Sequence, residues 1–328
     1  MVELHWHGKE LEPHTYEPAA SLHTRATYPS TASAASWHNR LIQGERAEVL
    51  TALLAEFAGR VDLAYIDPPF MTGRDFMSGS TLAYSDKWRG ELDAYLPWLA
   101  ATLHLLQRLL AADGSLYVHL DWRVAHYARV LLDEIFGANL HGHSPGFQNE
   151  IIWHYQSGGR TMRRYARKHD SILFYSKSAE YCFHSERIGE KRGANKRNHM
   201  RKHLDAHGQV NWSIKTNGHV YTYSEESRMT PADVWSDISH LHQRDPERNG
   251  YATQKPAALL ERIVLASSEP GDLVLDCFCG SGVTPVVAEQ LGRRWLASDQ
   301  GELALASTRA RLLALPACTP FVEQCLKI

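Results

Sequence analysis

The sequence predicts an α/β protein built around a parallel, doubly wound sheet. Short apolar runs typical of buried strands alternate with segments whose apolar residues have helical spacing, first from Arg40 to about residue 157 and again from Lys255. Several of these strands run into an acidic residue, and a glycine-containing turn follows one of them. Strands separated by helices favour a sheet covered on both faces, and ligands bind such sheets at the carboxyl ends of the strands.

The composition is that of an ordinary globular protein. Of the 328 residues, 44% are hydrophobic and 22% are charged, which suffices for one large domain with an inserted module or for two domains. No apolar run reaches the ~18 residues that a membrane span needs, and no apolar segment typical of a secretory signal follows the first Met. The five Cys residues form no CxxC pair. We therefore expect reduced thiols, a cytoplasmic protein and no membrane partner.

The first half of the chain contains most of the predicted strands. Residues 1–36 are rich in Ser, Ala, Thr, His and Pro without a sustained period, so we expect an extension that packs in part on the core. Gly114 and Gly137 follow helical patterns and predict helix ends. The predicted elements are a helix at 49–57, a strand at 61–66, a helix at 95–114, a strand at 115–121, a helix at 124–137 and strands at 149–155 and 171–177.

The regular alternation fades between about residues 158 and 251 and returns at Lys255. The intervening segment is basic, rich in His and interrupted by Gly. Beyond it, Pro285 lies in the first turn of a predicted helix, where Pro is favourable. The elements predicted there are a helix at 256–268, a strand at 272–278, a helix at 284–292, a strand at 293–299 and a helix at 303–315.

One predicted strand ends in an unusual segment, IDPPF at residues 66–70. Two consecutive prolines exclude both a helix and a continuing sheet, because Pro lacks the N–H donor and constrains the residue before it. A carboxylate, two rigid residues and an aromatic ring thus stand at the strand end, where ligands bind in such folds. The structural alternatives are an acid that caps a turn at Asp67 and a core aromatic at Phe70.

A glycine turn follows another predicted strand, in LVLDCFCGSGVTP. Asp276 ends that strand, and Gly280 and Gly282 allow a tight turn and close approach of a ligand to the backbone. Asp299 ends the next predicted strand about 20 residues further on, where an acid can accept both hydroxyls of a ribose. These features indicate an adenosine-bearing ligand of the NAD type or of the S-adenosylmethionine type. The G-S-G spacing lacks the third glycine of the dinucleotide fingerprint.

Taken together, the two motifs resemble the β class of amino-group DNA methyltransferases, especially the modification subunits of type III restriction systems and their stand-alone relatives. TQKPAALLERIVLASSEPGDLVLDCFCGSGVT follows IDPPF much later in the chain, and NRLIQGERAEVLTALL and NEIIWHYQSGG are similar blocks. The resemblance covers residues 39–177 and 251–313. It implies a circularly permuted, Rossmann-like S-adenosylmethionine-dependent methyltransferase sheet, divided into an N-terminal extension at 1–38, a catalytic half at 39–157, an inserted target-recognition segment at 158–250 and a cofactor-binding half at 251–328.

The resemblance implies S-adenosyl-L-methionine as the cofactor. It assigns the glycine turn to the methionine moiety, the acid of the next strand to the ribose, and the Lys of TQKP to the methionine carboxylate, which a cation suits. Glu45 departs from the Gly-Asp that the family usually has at the adenine contact, and Cys277 replaces a Pro, which should leave the turn less rigid. The residues assigned in this way are Glu45, Lys255, Asp276, Phe278, Gly280, Gly282 and Asp299.

The resemblance also implies methyl transfer to an exocyclic amine of a base, and the DPPF motif suits that chemistry. The lone pair of an aryl amine is delocalised into the ring, so the enzyme must localise and aim it. A carboxylate and a proline carbonyl can each accept one N–H, and rigid alignment of these acceptors is worth ~7–11 kcal/mol. The aromatic residue stacks on a base that has flipped out of the duplex, for ~1–3 kcal/mol. The expected catalytic residues are Asp67, Pro68, Pro69 and Phe70.

The segment from Arg160 to Lys202 contains 13 Lys and Arg against 4 Asp and Glu, although the chain has a formal net charge of −2. Such a local excess of positive charge indicates contact with a polyanion. The alternative is a basic surface that contacts only solvent. We expect mainly phosphate contacts with double-stranded DNA and a few contacts with base edges. The expected DNA-binding residues are Arg160, Arg163, Arg164, Arg167, Lys168, Lys196, Arg197, Arg201 and Lys202.

Three histidines of this segment, His199, His203 and His207, would lie on one face of a helix. Such spacing can hold a metal, but no Cys or carboxylate pattern completes a site, and methyl transfer needs no metal. We therefore predict a helix that packs on the protein or faces DNA, and no bound metal.

These observations favour a site-specific adenine-N6 DNA methyltransferase that acts by direct displacement on a flipped base. Cytosine-N4 methylation is the alternative within the family, whose cytosine enzymes usually have Ser in place of Asp67. A nucleotide-dependent oxidoreductase and an inactive DNA-binding subunit are further alternatives, against which the missing third glycine and the intact DPPF motif argue. The resemblance places the protein among prokaryotic or phage restriction-modification enzymes and leaves open a homodimer and a separate restriction endonuclease chain as partners.

Overall fold

The computed structural model describes residues 3–6, 9, 21–29, 37–89, 91–142, 144–156, 161–191 and 199–327. Their contacts divide the chain into a large unit, Met1–Cys182 with Asp233–Ile328, and a small unit, Phe183–Ala232. None of the described helices is long and apolar enough to span a membrane.

The helices and strands of the described residues follow one another in this order along the chain: β1 (Ser21–Tyr28), β2 (Asn39–Gln43), α1 (Arg46–Phe57), β3 (Val61–Ile66), β4 (Asp75–Ser78), β5 (Thr81–Ser85), α2 (Leu92–Leu109), β6 (Leu110–Leu120), α3 (Ala125–Phe136), β7 (Gly146–His154), β8 (His169–Ser176), α4 (Ser185–Ile188), β9 (Glu190–Lys191), β10 (Arg201–Leu204), β11 (Val210–Thr216), β12 (His219–Ser224), β13 (Arg228–Met229), β14 (Val234–Trp235), α5 (Ala257–Ser267), β15 (Leu273–Asp276), α6 (Val283–Gln290), β16 (Arg294–Asp299), α7 (Glu302–Leu313) and β17 (Phe321–Lys327).

A ten-stranded sheet organises the large unit, with the strand order β1-β17-β2-β16-β15-β3-β6-β8-β7-β14. The strands from β17 to β6 run parallel, as the sequence predicts. β1 and β8 run antiparallel to their neighbours, so the sheet is mixed. The prediction of a parallel sheet is wrong for β8 because β7 and β8 are joined without a crossover helix, and such a connection yields antiparallel strands.

The central strands are apolar because both of their faces are buried. In β3, Val61, Ala64 and Ile66 pack into a core with α1, α2 and α3. Leu63 and Tyr65 of the same strand pack into a second core with α5, α6 and α7. Helices therefore cover both faces of the sheet, which is the doubly wound arrangement that continuous apolar strands predict.

Two strands that are far apart in sequence meet at the centre of this sheet. β3 pairs in parallel with β15, with Leu63 opposite Val274 and Ala64 opposite Leu275. Parallel pairing places the carboxyl ends of both strands at the same edge. The segments that follow β3 and β15, IDPPF and the glycine turn, are therefore neighbours in space although some two hundred residues separate them in sequence.

The helix predicted at 95–114 is wrong beyond residue 109. Leu110 is extended, with φ −60° and ψ 138°, and begins β6 opposite Val61. A Cβ at Gly114 would lie 2.8 Å from the carbonyl oxygen of Val61. Gly114 thus permits a close approach of two strands and does not end a helix.

Part of the predicted extension belongs to the sheet. β1 lies within residues 1–36 and pairs with β17 along its whole length. Leu4 and Trp6 also pack against the core.

The small unit contains a three-stranded antiparallel sheet, β10-β11-β12, and a two-stranded sheet, β13-β9. The helix predicted through the three histidines is wrong. His203 lies in β10 opposite Asn211, His207 lies in the turn that follows, and His199 has a left-handed φ of 71°. Pairing with β11, which the local spacing does not reveal, determines the strand.

Candidate active site

A cavity of about 480 Å³ lies at the carboxyl edge of the sheet in the large unit. Residues that follow β2, β3, β15 and β16 line it, because parallel strands bring their ends to one edge. The predicted residues on its wall are Glu45, Asp67, Pro68, Pro69, Phe70, Lys255, Asp276, Phe278, Gly280 and Asp299. Gly282 alone among the predicted catalytic and cofactor residues is not part of this wall, although Ser281 and Val283 on either side of it are.

The DPPF corner presents an incompletely paired carboxylate. Asp67 Oδ2 forms an ion pair with the ammonium group of Lys255. Asp67 Oδ1 is buried and accepts no hydrogen bond from the residues that the structure describes. Tyr95 donates its hydroxyl to the Pro69 carbonyl at 2.9 Å, which fixes the second proline. The corner is thus rigid and retains one free acceptor oxygen.

Asp86 secures the loop that follows this corner, and sequence reasoning missed it. The carboxylate accepts backbone N–H groups from Phe70 at 3.2 Å, Met71 at 3.0 Å and Thr72 at 2.8 Å. It also accepts the Thr72 hydroxyl at 2.7 Å and the Trp88 indole N–H at 3.0 Å. Asp86 is 1% exposed. One buried acid therefore determines the backbone path directly after the two prolines.

A series of hydrogen-bonded, largely buried side chains contacts the Phe70 ring, and sequence reasoning missed it too. The Phe70 ring stacks on His119 with centroids 6.0 Å apart. His119 Nε2 lies 3.1 Å from Asp170 Oδ2, and its Nδ1 lies 2.9 Å from the Tyr65 hydroxyl. Burial opposes ionisation of Asp170, but the hydrogen bond and charge of His119 outweigh it and hold the pKa of that carboxyl below its usual value. Tyr155 donates to Asp170 Oδ1 at 2.9 Å, which completes the chain.

The glycine turn is braced by the two acids that the sequence singles out. Asp276 accepts the Phe278 N–H at 2.9 Å and the Thr284 hydroxyl at 2.5 Å, and burial raises its pKa to about 7. Asp299 accepts the Gly280 N–H at 3.0 Å, and burial raises its pKa as well. Asp276 is therefore a structural support of the turn. Asp299 also accepts the Gly301 N–H at 2.9 Å, and its carboxylate lies on the cavity wall.

The glycines of the turn are required by close contacts. Gly282 has a φ of +80°, and a Cβ there would lie 2.7 Å from the Cα atom of Thr308. A Cβ at Gly280, with φ +47°, would lie 3.3 Å from the ring of Tyr251 on the cavity wall. A side chain at Gly282 would push against α7, and one at Gly280 would press on the Tyr251 ring.

The start of α1 and one residue of α2 add an ion pair and an indole ring to the cavity wall. Glu45 caps α1 by accepting the Ala47 N–H at 2.7 Å. Arg46 forms an ion pair with Glu45 and stacks over Trp98 at 4.1 Å. The Trp98 ring lies 5.5 Å from that of Phe278, centroid to centroid. Arg46 and Trp98 thus join the predicted residues around this part of the cavity.

Comparison with known proteins identifies the family. The sequence model of the DNA methylase family N6_N4_Mtase matches residues 61–308, which is more than half of the chain. The chain belongs to this family.

Curated relatives of the methylase are DNA methyltransferases. It is 29% identical over 321 residues to the type II methyltransferase M.EcaI of Enterobacter cloacae, across 83% of this chain and 69% of that protein. It is 29% identical over 260 residues to the DNA adenine methyltransferase YhdJ of Escherichia coli strain K12, across 78% of this chain and 76% of that protein.

Solved structures share the fold of the methylase. The PvuII DNA methyltransferase (cytosine-N4-specific) has a TM-score of 0.55 at 19% identity and is matched over 85% of this chain and 88% of its own. TTHA0409 of Thermus thermophilus, complexed with S-adenosyl-L-methionine, has a TM-score of 0.51 at 20% identity, over 88% of this chain and 97% of its own.

The expected DNA-binding residues of the methylase fall into separate parts of the chain. Arg163, Arg164, Arg167 and Lys168 lie in the loop between β7 and β8, and the three arginines are exposed. Arg201 and Lys202 lie on the exposed strand β10 of the small unit. The remaining three, Arg160, Lys196 and Arg197, lie outside the described residues.

Proposed function

We propose that this methylase transfers the methyl group of S-adenosylmethionine to N6 of an adenine flipped out of double-stranded DNA. The observation that supports this most strongly is the buried Oδ1 of Asp67, which accepts no hydrogen bond from a described residue. A buried acceptor without a partner costs about 1–3 kcal/mol. An amine N–H that reached Asp67 would remove this cost and would lie in the same cavity as the glycine turn.

The residues of the cavity fit S-adenosylmethionine as the methyl donor. Gly280 lies on the cavity wall, where a Cβ would come within 3.3 Å of the Tyr251 ring. Trp98 and Phe278 offer flat apolar surfaces, and Asp299 offers carboxylate lone pairs to ribose hydroxyls. Lys255 supplies a cation for the methionine carboxylate. When bound, S-adenosylmethionine supplies an activated methyl group whose C–S bond breaks with the electron pair left on sulfur.

The DPPF corner would prepare the nucleophile. Asp67 Oδ1 accepts one N–H of the amine and the Pro68 carbonyl accepts the other, so the nitrogen becomes pyramidal and its lone pair is free. Phe70 stacks on the base and is itself held by Asp86 and His119. The nitrogen lone pair forms the new N–C bond. The nitrogen then releases one proton, for which Asp67 is the adjacent acceptor.

Adenine is the proposed base because Asp precedes the two prolines. The cytosine enzymes of the β class of amino-group DNA methyltransferases usually have Ser at this position. The relative YhdJ is named a DNA adenine methyltransferase. Cytosine N4 is the second candidate, since the same pair of acceptors suits either amine and the PvuII enzyme with the same fold is cytosine-N4-specific.

The partners follow from the same proposal. Residues 158–250 would recognise the DNA target, between a catalytic half at 39–157 and a cofactor-binding half at 251–328. Because relatives such as M.EcaI are named type II methyltransferases, a separate restriction endonuclease chain in a bacterial cytoplasm is the expected context.

Transfer of tritium from labelled S-adenosylmethionine to unmethylated duplex DNA tests the proposal. We expect transfer by the full chain, a loss of about 100- to 1,000-fold in Asp67→Ala, and little change in Asp75→Ala, whose carboxylate is exposed in β4. Mass spectrometry of the nucleosides identifies the base. Transfer that survives Asp67→Ala would reject the mechanism, and N4-methylcytosine in the product would reject adenine as the target.

A further inference from the structure

The loop at residues 161–168 combines large exposed apolar side chains with a dense positive charge. Its sequence is TMRRYARK, with four cations and no acid. Met162 is 99% exposed and Tyr165 is 97% exposed. Exposing two large apolar side chains to water is unfavourable for a loop whose only contact is with solvent. A partner with stacked flat rings and phosphates would accommodate both features.

This loop is anchored at the rim of the cavity. The Tyr155 N–H donates to the Lys168 carbonyl at 2.9 Å and closes the loop just beyond the paired ends of β7 and β8. Tyr155 and Asp170, on either side of the closure, both line the cavity. Tyr165 is three residues from Lys168, a distance of at most ~11 Å along the chain. Tyr165 therefore lies near the edge of the sheet that carries the cavity.

Further contacts fix the basic end of the loop to the same rim. The Arg167 guanidinium stacks over Trp122 at 3.3 Å, and Arg123 lies over the same ring at 4.8 Å. The Arg123 N–H donates to Asp121 at 2.8 Å, and Asp121 lines the cavity. Within the loop, Arg164 N–H donates to the Thr161 hydroxyl oxygen at 3.2 Å. These contacts hold the chain on both sides of Tyr165.

We infer that Tyr165 enters the DNA stack and fills the space that the target base leaves when it flips, while the flanking arginines contact phosphates. The inference rests on the proposed function and adds to it a residue that holds the duplex open. A base pair occupies ~3.4 Å of the stack, which is the thickness of an aromatic ring. A ring inserted there replaces the lost stacking and slows the return of the base.

Two duplexes and three variants test the role of Tyr165. The full chain is first used to methylate PCR-amplified DNA, and sequencing locates the modified base. Synthetic duplexes of that site then carry the target nucleotide opposite either its normal partner or an abasic position. The variants are Tyr165→Ala, Tyr165→Phe and the control Leu140→Ala, which removes an 82% exposed apolar side chain before the opposite end of β7.

On the normal duplex we expect Tyr165→Ala to lower kcat/KM by about 10- to 100-fold. This factor corresponds to the free energy with which one base stacks on an aromatic side chain. On the abasic duplex the loss should shrink to less than about threefold, since an unpaired base is easier to extrude. Tyr165→Phe and Leu140→Ala should resemble the parent chain on both duplexes.

Two results would overturn the inference. Unchanged activity of Tyr165→Ala on the normal duplex would show a solvated loop, and an equal loss on both duplexes would show ordinary DNA contact. A parent chain that methylates no DNA would instead refute the proposed function itself.

Discussion

The ammonium group of Lys255 forms an ion pair with the carboxylate of Asp67, and its Nζ lies 5.3 Å from the centroid of the Phe70 ring. The sequence resemblance assigns this lysine to the methionine carboxylate of the cofactor, whereas the structure places it on the expected catalytic acid. One cation thus stands between two anionic partners. It neutralises Asp67 in the structure described, and a cofactor carboxylate would compete with Asp67 for it.

The first prediction concerns this shared cation. Lys255→Met keeps the apolar stem and removes the charge, so affinity for S-adenosylmethionine should fall about 10- to 100-fold, the worth of a charge-assisted hydrogen bond. Calorimetric titration measures it. The parent chain should prefer S-adenosylmethionine to its decarboxylated analogue, and the variant should bind both alike. A variant that kept the preference would show that the carboxylate lies elsewhere, and Lys327→Met serves as a control at an exposed lysine.

The second prediction concerns Asp86. Asp86→Ala leaves the part-buried N–H groups of Phe70, Met71 and Thr72 without their acceptor, at about 1–3 kcal/mol each. We expect a lower melting temperature and a loss of about 100-fold in kcat, because a small displacement of the catalytic corner is costly. Affinity for S-adenosylmethionine should change little, since the residues proposed to bind it, Lys255 and Trp98 apart, follow β2, β15 and β16.

A neighbouring acid provides the control for that experiment. Asp75 lies in β4 of the hairpin that Asp86 directly follows. It pairs at the surface with Lys87, and exposed pairs contribute only ~0–1 kcal/mol. Asp75→Ala should therefore leave both melting temperature and kcat near those of the parent chain. Equal behaviour of the two variants would mean that Asp86 does not position the DPPF corner.

The sequence was sufficient for features that are local or that the sheet edge brings together. Apart from Asp62, β3 and β15 are apolar up to their last residues because both of their faces are buried. Their ends, and hence Asp67 and Asp276, could therefore be located. The role of Asp86 could not be predicted from the sequence. The N–H groups whose hydrogen bonds it accepts lie 14 to 16 residues earlier in the chain, and its own segment, SDKW, resembles any polar turn. His119 carried a usable signal, a polar residue inside the apolar run SLYVHL.

The errors of secondary structure have the same origin. The helical spacing of α2 continues past Leu109, and only pairing of Leu110 with Val61, almost fifty residues away, makes the following segment a strand. His203 likewise fits a helical spacing but pairs with Asn211. Tertiary pairing outweighed local propensity in both places.

The third prediction concerns the pH dependence of stability. Burial raises the pKa of Asp276 from 3.8 to about 7, so between these values the folded chain binds a proton that the unfolded chain releases. The free energy of unfolding should therefore fall as pH rises through this range, on the order of 4 kcal/mol for one fully buried group. Asp276→Asn should lack this contribution. Urea denaturation of both proteins from pH 4 to 8 measures the difference, and parallel stability curves would contradict the raised pKa.

The last prediction separates two costs of a side chain in the glycine turn. Gly271 and Gly282 have φ values of +93° and +80°, so Ala at either position costs about 1–2 kcal/mol of backbone strain. At Gly271 a Cβ would meet nothing within 4 Å, whereas at Gly282 it would lie 2.7 Å from the Cα of Thr308. Overpacking should therefore lower the free energy of unfolding of Gly282→Ala by about a further 1–3 kcal/mol.

Because α7 must move or the turn must shift, Gly282→Ala should also weaken binding of S-adenosylmethionine, and Gly271→Ala should not. Urea denaturation and calorimetric titration measure the two effects. Equal losses of stability in both variants would show that α7 gives way without cost and that strain in the backbone alone requires glycine at this turn.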